Sequence, residues 1–237
     1  YYLKMAADMN NSKAQYLLGT IYEKNIIVPP DIEQSIHYLK LASKNYFSEA
    51  NVYLGFLYLN GIYFQRDINK SIHYLNLGAS QKNARAFDFL GLLYSNGKYI
   101  EPDIDKAVNF FLGAVENGKY EAYFNIGCLY YDKKYNHFNI KKALYYFQKG
   151  VDHNVPAAQY IMGDIYYKGE YVSQDIKKAL DLLTISANSC YDLALYKLGK
   201  IHMKGKFVPV NHEKAVYYFG VASKQNNSKA LFYLGLY

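Results

Sequence analysis

The stretch AQYIMGDIYYKG, Ala158 to Gly169, reads as a helix with one glycine in its middle and another at its end. A mid-helix glycine costs about 1 kcal/mol relative to alanine, so Gly163 needs a reason. The rest of the chain supplies one. AQYLLGTIYEKN begins at Ala14, ANVYLGFLYLNG at Ala50, AFDFLGLLYSNG at Ala86, AYFNIGCLYYDK at Ala122, ALYKLGKIHMKG at Ala194 and ALFYLGLY at Ala230. The central glycines Gly19, Gly55, Gly91, Gly127, Gly163, Gly199 and Gly235 follow one another every 36 residues, with no insertion or deletion. A constant period of this size marks a solenoid, in which one supersecondary unit is stacked on its neighbours.

One unit, Asn11 to Phe47, shows the logic. A first helix is predicted from Ser12 to Glu23, with Ser12 as N-cap and Ser48 and Ser228 at the same place. Ala14, Leu18, Ile21 and Tyr22 give it a helical apolar face. It ends near Asn25, where other copies carry Gly61, Gly97, Gly169 and Gly205, the residue expected in the left-handed conformation past a C-terminus. Lys133 breaks that pattern, so the fourth loop takes a different shape. The loops IIVPP, IYFQR, KYIEP, EYVSQ and KFVPV each hold a mid-loop apolar residue to plug the gap between helices. Asp31, Asp67, Asp103, Asn139, Asp175 and Asn211 then open the second helix as N-caps and are not catalytic carboxylates. The second helix runs from Ile32 to Lys44 and buries Ser35, Ile36, Tyr38, Leu39, Ala42 and Ser43. Large aromatics on this helix need space on the first. The mid-helix glycines provide it, and burial worth about 2–3 kcal/mol per ring offsets their propensity cost.

Half of the 237 residues are hydrophobic, which excludes a disordered chain, and no apolar run reaches a membrane-spanning length. Cys128 and Cys190 fall at different places in the repeat and read as free thiols. Every LG glycine lies inside a helix, so there is no phosphate loop, and C-x-x-C is absent. The six histidines lack metal-ligand spacing. No cofactor, metal or catalytic constellation is expected. Asn10-Asn11-Ser12 and Asn226-Asn227-Ser228 are glycosylation sequons of a kind that chance supplies in an Asn-rich chain.

The pattern A-x-x-x-L-G-x-x-Y-x-x-G, a loop, then D-x-x-K-A-x-x-Y/F-F resembles the Sel-1-like repeat, a relative of the tetratricopeptide repeat. The clearest copies are AFDFLGLLYSNGKYIEPDIDKAVNFFLGAVENG (Ala86 to Gly118) and AQYIMGDIYYKGEYVSQDIKKALDLLTISAN (Ala158 to Asn188). Ser35 and Ser71 replace an alanine, His202 replaces a tyrosine, and Asn25 and Lys133 replace the loop glycine. Plain tetratricopeptide repeats have a shorter period, and pentatricopeptide repeats lack the L-G-x-x-Y signature. The resemblance implies an all-α solenoid of antiparallel helix pairs in a right-handed superhelix, with first helices lining its concave side. It also implies a non-enzymatic adaptor or scaffold. Members of that family serve in ubiquitin-ligase assemblies of endoplasmic-reticulum-associated degradation, in bacterial signalling and host interaction, and beside kinase domains.

The expected organisation is a single array over 1–237, with repeat boundaries near 11, 47, 83, 119, 155, 191 and 227 and helices cut at both ends, as in a segment of a longer protein. On the first helices, positions facing away from the second helix vary in character. Tyr53, Phe56, Phe89, Leu92 and Phe124 give an apolar middle. Tyr160, Asp164 and Tyr196 follow, and Lys197, Lys200 and Lys204 give a basic end. The aromatics are either partner anchors or half-core residues packed on the next first helix. The charge distribution reads either as a solvated lysine-rich face or as pointing to an acidic partner. Residues 1–118 hold 11 Lys/Arg and 11 Asp/Glu, whereas residues 119–237 hold 16 and 9, so the whole +7 lies in the second half. The expected partner is a protein or peptide, with an acidic segment, along this groove. RNA or an acidic surface at the basic half is the alternative of another class, and a ligase adaptor is the alternative within the fold. A small-molecule substrate is not expected. Cytoplasm is favoured over the lumen of the endoplasmic reticulum.

Overall fold

The computed structural model describes residues 1–24, 31–61, 63, 65–133 and 137–236. The IIVPP loop and the helix end at Asn25 lie outside the described residues. All regular structure among the described residues is helical, in two compact units, Tyr1–Lys119 and Tyr120–Tyr237. The first unit holds α1 (Tyr2–Asp8), α2 (Ser12–Lys24), α3 (Ile32–Lys44), α4 (Ser48–Asn60), α5 (Ile68–Ser80), α6 (Ala84–Ser95) and α7 (Ile104–Glu116). The second holds α8 (Ala122–Tyr131), α9 (Ile140–Asp152), α10 (Pro156–Lys168), α11 (Ile176–Asn188), α12 (Asp192–Lys204), α13 (His212–Ser223) and α14 (Ser228–Leu234). Within each unit the helices pair as the repeat predicts, first helix on second, and each second helix also packs on the first helix of the following pair. This is the all-α solenoid of paired helices that the 36-residue period requires.

The mid-helix glycines sit where the pairs cross. A Cβ on Gly91 would lie 2.6 Å from two ring carbons of Phe111. One on Gly127 would lie 2.4 Å from Phe147, and one on Gly199 2.6 Å from Phe219. In the other three copies the opposing residue is leucine. Gly19, Gly55 and Gly163 face Leu39, Leu75 and Leu183, with a Cβ at 2.6, 2.7 and 2.9 Å. The emphasis on aromatics is therefore corrected: any large apolar side chain at this place demands the missing Cβ. Small residues late in the second helix make a matching notch toward the next repeat, with a Cβ on Gly78 falling 2.9 Å from Ala86 and one on Gly150 falling 2.6 Å from Ala158.

Capping follows the sequence at one helix end and departs from it at the other. Asp31, Asp67, Asp103, Asn139, Asp175 and Asn211 each accept a hydrogen bond from the backbone N–H three residues on. The backbone N–H of each also donates to a carbonyl of the preceding helix, at Tyr22, Tyr58, Tyr94, Tyr130, Tyr166 and His202, over 2.8–3.2 Å. That closure survives in the fourth copy, although α8 ends early, at Tyr131, in an extended Asp132. Ile100, Val172 and Val208 are half-buried in their loops. The serine caps are corrected. Asn11, Asn83 and Asn227, one residue earlier, hold the helix N-termini with their side-chain oxygens. Where Phe47, Val155 or Tyr191 stands at that place, no side chain caps the helix.

The turn from second to first helix has its own recurrent geometry. The backbone φ is positive at Asn10, Tyr46, Lys82, Gly118, Asn154, Cys190 and Asn226, seven places 36 residues apart. After α3, Tyr46 N–H donates to Ser43 O and Phe47 N–H to Ala42 O, the paired bonds of a Schellman motif. The same pair recurs after each second helix; after α5 it is Lys82 to Ala79 and Asn83 to Gly78. Except at Lys119, where α8 starts only after Glu121, the residue that closes the motif is also the one that starts the next helix. It does so either as a capping asparagine or as an apolar anchor, Phe47 packing on Tyr16 at 5.2 Å and Tyr191 on Tyr160 at 5.6 Å between ring centres.

Candidate partner-binding surface

The first-helix face of the first unit is an aromatic ladder. Tyr16, Tyr53, Phe56 and Phe89 project from α2, α4 and α6; Tyr53 and Phe89 share one repeat position, Tyr16 and Phe56 stand at two others, and helix stacking brings them together. Ring centres are 6.2 Å apart for Tyr16 and Tyr53, 6.3 Å for Tyr53 and Phe56, and 6.3 Å for Phe56 and Phe89. Tyr53, Phe56 and Phe89 are half-buried by this packing, and Leu92 on the next turn is 40% exposed. The ladder has a polar end that the sequence reading passed over. The Glu23 carboxylate accepts hydrogen bonds from the phenols of Tyr53 and Tyr63, the latter at 3.0 Å. Burial first, and then this bond, raise the Tyr53 phenol well above its ordinary value.

The same face of the second unit is different. Phe124 packs on Phe147 at 5.9 Å and is half-buried. Farther along, α10 and α12 enclose a concave pocket of about 390 Å³. Asp164, Lys168, Lys197, Lys200, Lys204 and Lys206 line it. Tyr160, Tyr167 and Tyr196 form the walls. Asp164 is buried at the floor, and each of its oxygens holds one ammonium at 2.7 Å, Lys168 from one turn on and Lys197 from the neighbouring first helix. Burial alone would raise the Asp164 carboxyl; hydrogen bonds from Lys168 and Lys197 outweigh it and hold the carboxyl below its ordinary value of 3.8.

Asp164 is therefore the internal counter-ion of Lys168 and Lys197. Lys200 lies over the rings of Tyr196 and Tyr233, at 5.5 and 5.8 Å. Lys200, Lys204 and Lys206 form no ion pair among the described residues. Lys200 and Lys204 stand one turn apart on α12, a repelling arrangement that costs a few tenths of a kcal/mol. The pocket thus concentrates a large part of the chain's positive excess. The repeat pattern named Lys197, Lys200 and Lys204. It did not single out Lys168, which stands at the place of Lys204 one repeat earlier, or Tyr167 and Lys206.

Both cysteines are free. Among the described residues no cluster of His, Cys, Asp and Glu has the makings of a metal site, and no helix is long and apolar enough to cross a membrane.

Stacked helix pairs, with close-packing residues fixed by the period and first-helix residues free to vary, define a helical-repeat protein. The Sel1 repeat model matches residues 12–46, 48–83, 88–119, 121–155, 156–189, 192–227 and 217–236, and the chain belongs to the Sel1-repeat family. Proteins of this family are in general protein-interaction scaffolds, on a fold that is typically non-catalytic. Among solved structures, the chain is similar to c5321, a protective antigen of uropathogenic Escherichia coli with this repeat fold, at 25% identity and TM-score 0.77 over 98% of the chain. It spans half the length of that antigen. It is similar also to a Sel1 repeat protein from Oxalobacter formigenes, at 26% identity and TM-score 0.75, covering 90% of this chain and 85% of that one. The immunity protein PA5088 from Pseudomonas aeruginosa shares the fold at 17% identity and TM-score 0.59, over 91% of this chain and 81% of that one. No curated relative matches the chain.

Proposed function

We propose that the protein is a scaffold that holds peptide segments of a partner protein on the first-helix face of each unit and performs no chemistry of its own. In the first unit the aromatic ladder and Leu92 contact apolar side chains. In the second, Phe124, Tyr160, Tyr196 and the lysines at 197, 200 and 204 contact an acidic stretch. The observation that carries the reading is the basic pocket. Lysines gathered on one face, with only one carboxylate among them, are electrostatically strained until an anion joins them. An affinity in the micromolar range, about −8 kcal/mol, is ordinary for such a peptide.

The test uses peptides selected on the whole chain from a random display library. Their affinity is then measured for the wild type, for Lys200→Glu/Lys204→Glu, and for Lys141→Glu on the second helix α9. The selected peptides should be rich in Asp and Glu, should lose at least tenfold on the double variant and should bind Lys141→Glu as they bind the wild type. If the double variant binds them undiminished, the first-helix face is not the binding surface. Tight, steeply salt-dependent binding of single-stranded RNA, with no peptide selected, would establish nucleic acid as the occupant of the basic charge instead.

A further inference from the structure

Resting on that reading, the geometry points to a narrower ligand: we infer that the α10–α12 pocket seats a phosphorylated side chain of the partner peptide. Two features of the pocket, charge and donor count, favour this group over a single carboxylate, and a third, the kind of donor, is compatible with it. The first is charge. Five lysines, Lys168, Lys197, Lys200, Lys204 and Lys206, against one aspartate, Asp164, leave a net +4 around about 390 Å³. One carboxylate neutralises a quarter of it. A phosphate monoester carries close to −2 in a single compact group.

The second feature is donor count. Each of Lys168 and Lys197 spends one N–H on Asp164. An ammonium has three, so both keep donors for a ligand while the buried carboxylate holds them in place. Lys200 is steadied over two tyrosine rings. These three ammoniums are therefore positioned before the ligand arrives, which lowers the ordering cost of binding. A tetrahedral phosphate offers three terminal oxygens to such a set.

The third feature is the kind of donor. Every cation here is lysine. Lysine lacks the planar fork of arginine and acts as a point charge, a role in which it binds phosphate. Tyr160, Tyr167 and Tyr196 contribute apolar surface beside the lysines.

The experiment reads fluorescence anisotropy of labelled peptides Gly-Ser-Gly-Xaa-Gly-Ser-Gly on the whole chain, with Xaa as phosphoserine, serine, glutamate or a glutamate pair. The phosphoserine peptide should bind at least tenfold tighter than the single-glutamate peptide, and millimolar inorganic phosphate should displace it. Lys200→Ala/Lys204→Ala should weaken it at least tenfold while the chain still melts cooperatively as a folded protein. A glutamate-pair peptide that binds as tightly as the phosphopeptide overturns the inference, because the pocket then counts charge alone. Equal binding of serine and phosphoserine peptides, or a double variant that binds like the wild type, also overturns it. All three outcomes leave the display-library result intact, so failure here is separate from failure of the scaffold reading.

Discussion

Gly91→Ala tests the packing account most directly, because two opposing terms have to be weighed. Alanine in a helix interior is favoured over glycine by about 1 kcal/mol. Against that, the new methyl would lie 2.6, 2.6 and 2.9 Å from three ring carbons of Phe111, where ordinary contact begins at 3.4 Å. The ring must retreat by about 0.8 Å, the difference between 2.6 and 3.4 Å. It is 1% exposed and has nowhere to go. Overpacking of this kind costs typically about 1–3 kcal/mol; with three close contacts on an immobile ring, the upper end applies. The net is a loss of about 2 kcal/mol. For a chain of this length that is a fall of roughly 4–8 °C in melting temperature.

Gly220→Ala is the matched control. It too lies inside a helix, α13, but a Cβ there meets nothing within 4 Å. The propensity term stands alone, and stability should rise by up to about 1 kcal/mol. Thermal and guanidinium melts followed by circular dichroism measure both. In a Phe111→Ala background the penalty of Gly91→Ala should vanish. If Gly91→Ala melts at or above the wild type, or matches Gly220→Ala, close approach is not why these glycines stand at a 36-residue period.

His202→Tyr should stabilise the sixth copy: Lys70, Lys106, Lys142 and Lys178 lie 4.3–5.4 Å from the rings of Tyr58, Tyr94, Tyr130 and Tyr166, and Lys214 stands at the same place beside His202. Burial, then Lys214, lower the His202 pKa, so the unfolded chain binds more protons below about 6.5. Wild-type stability should therefore decline as pH falls through 6.5, and melts at pH 7.5 and 5.5 should show that component missing in the variant. Asn11→Ala should cost about 1 kcal/mol through loss of the cap and Ser12→Ala only a few tenths; equal losses in denaturant titrations would restore serine as the cap. Burial pushes the Cys128 thiol up to about 12, whereas Cys190 is exposed. Iodoacetamide at pH 8 should label one cysteine in the native protein and two after denaturation, as read by mass spectrometry.

The repeat was legible because its signals are compositional. A glycine must stand where Leu39 or Phe111 presses, and an Asp or Asn must stand where Asp31 to Asn211 cap, so identity at a fixed spacing revealed both. The left-handed turn position was invisible for the opposite reason. Asn10, Tyr46, Lys82, Gly118, Asn154, Cys190 and Asn226 share a backbone conformation without sharing chemistry. The flanking hydrogen bonds impose that conformation, and the residues merely tolerate it. The cap was misplaced by one residue because Asn11 serves two motifs at once. On the surface, the lysines of α12 were legible as a run on one helix face. Their tether to Asp164 was not, because Asp164 and Lys197 are 33 positions apart and meet only through stacking.

The two ends of each helix pair differ in how much change in chain length they can absorb. At the Schellman end the last carbonyls of one helix and the first turn of the next are joined through a single residue, such as Asn83, with no slack. One extra residue there would swing everything downstream by about 100°, the angle between successive side chains on a helix. Ala86 and Gly91 would then face water, and the fault would pass to every later copy. At the opposite end a loop of several residues separates the helices, and the fourth copy already closes from a shortened α8. Natural length variation, grafted epitopes and engineered tags therefore belong at the loop end, where the register of the following repeats is preserved.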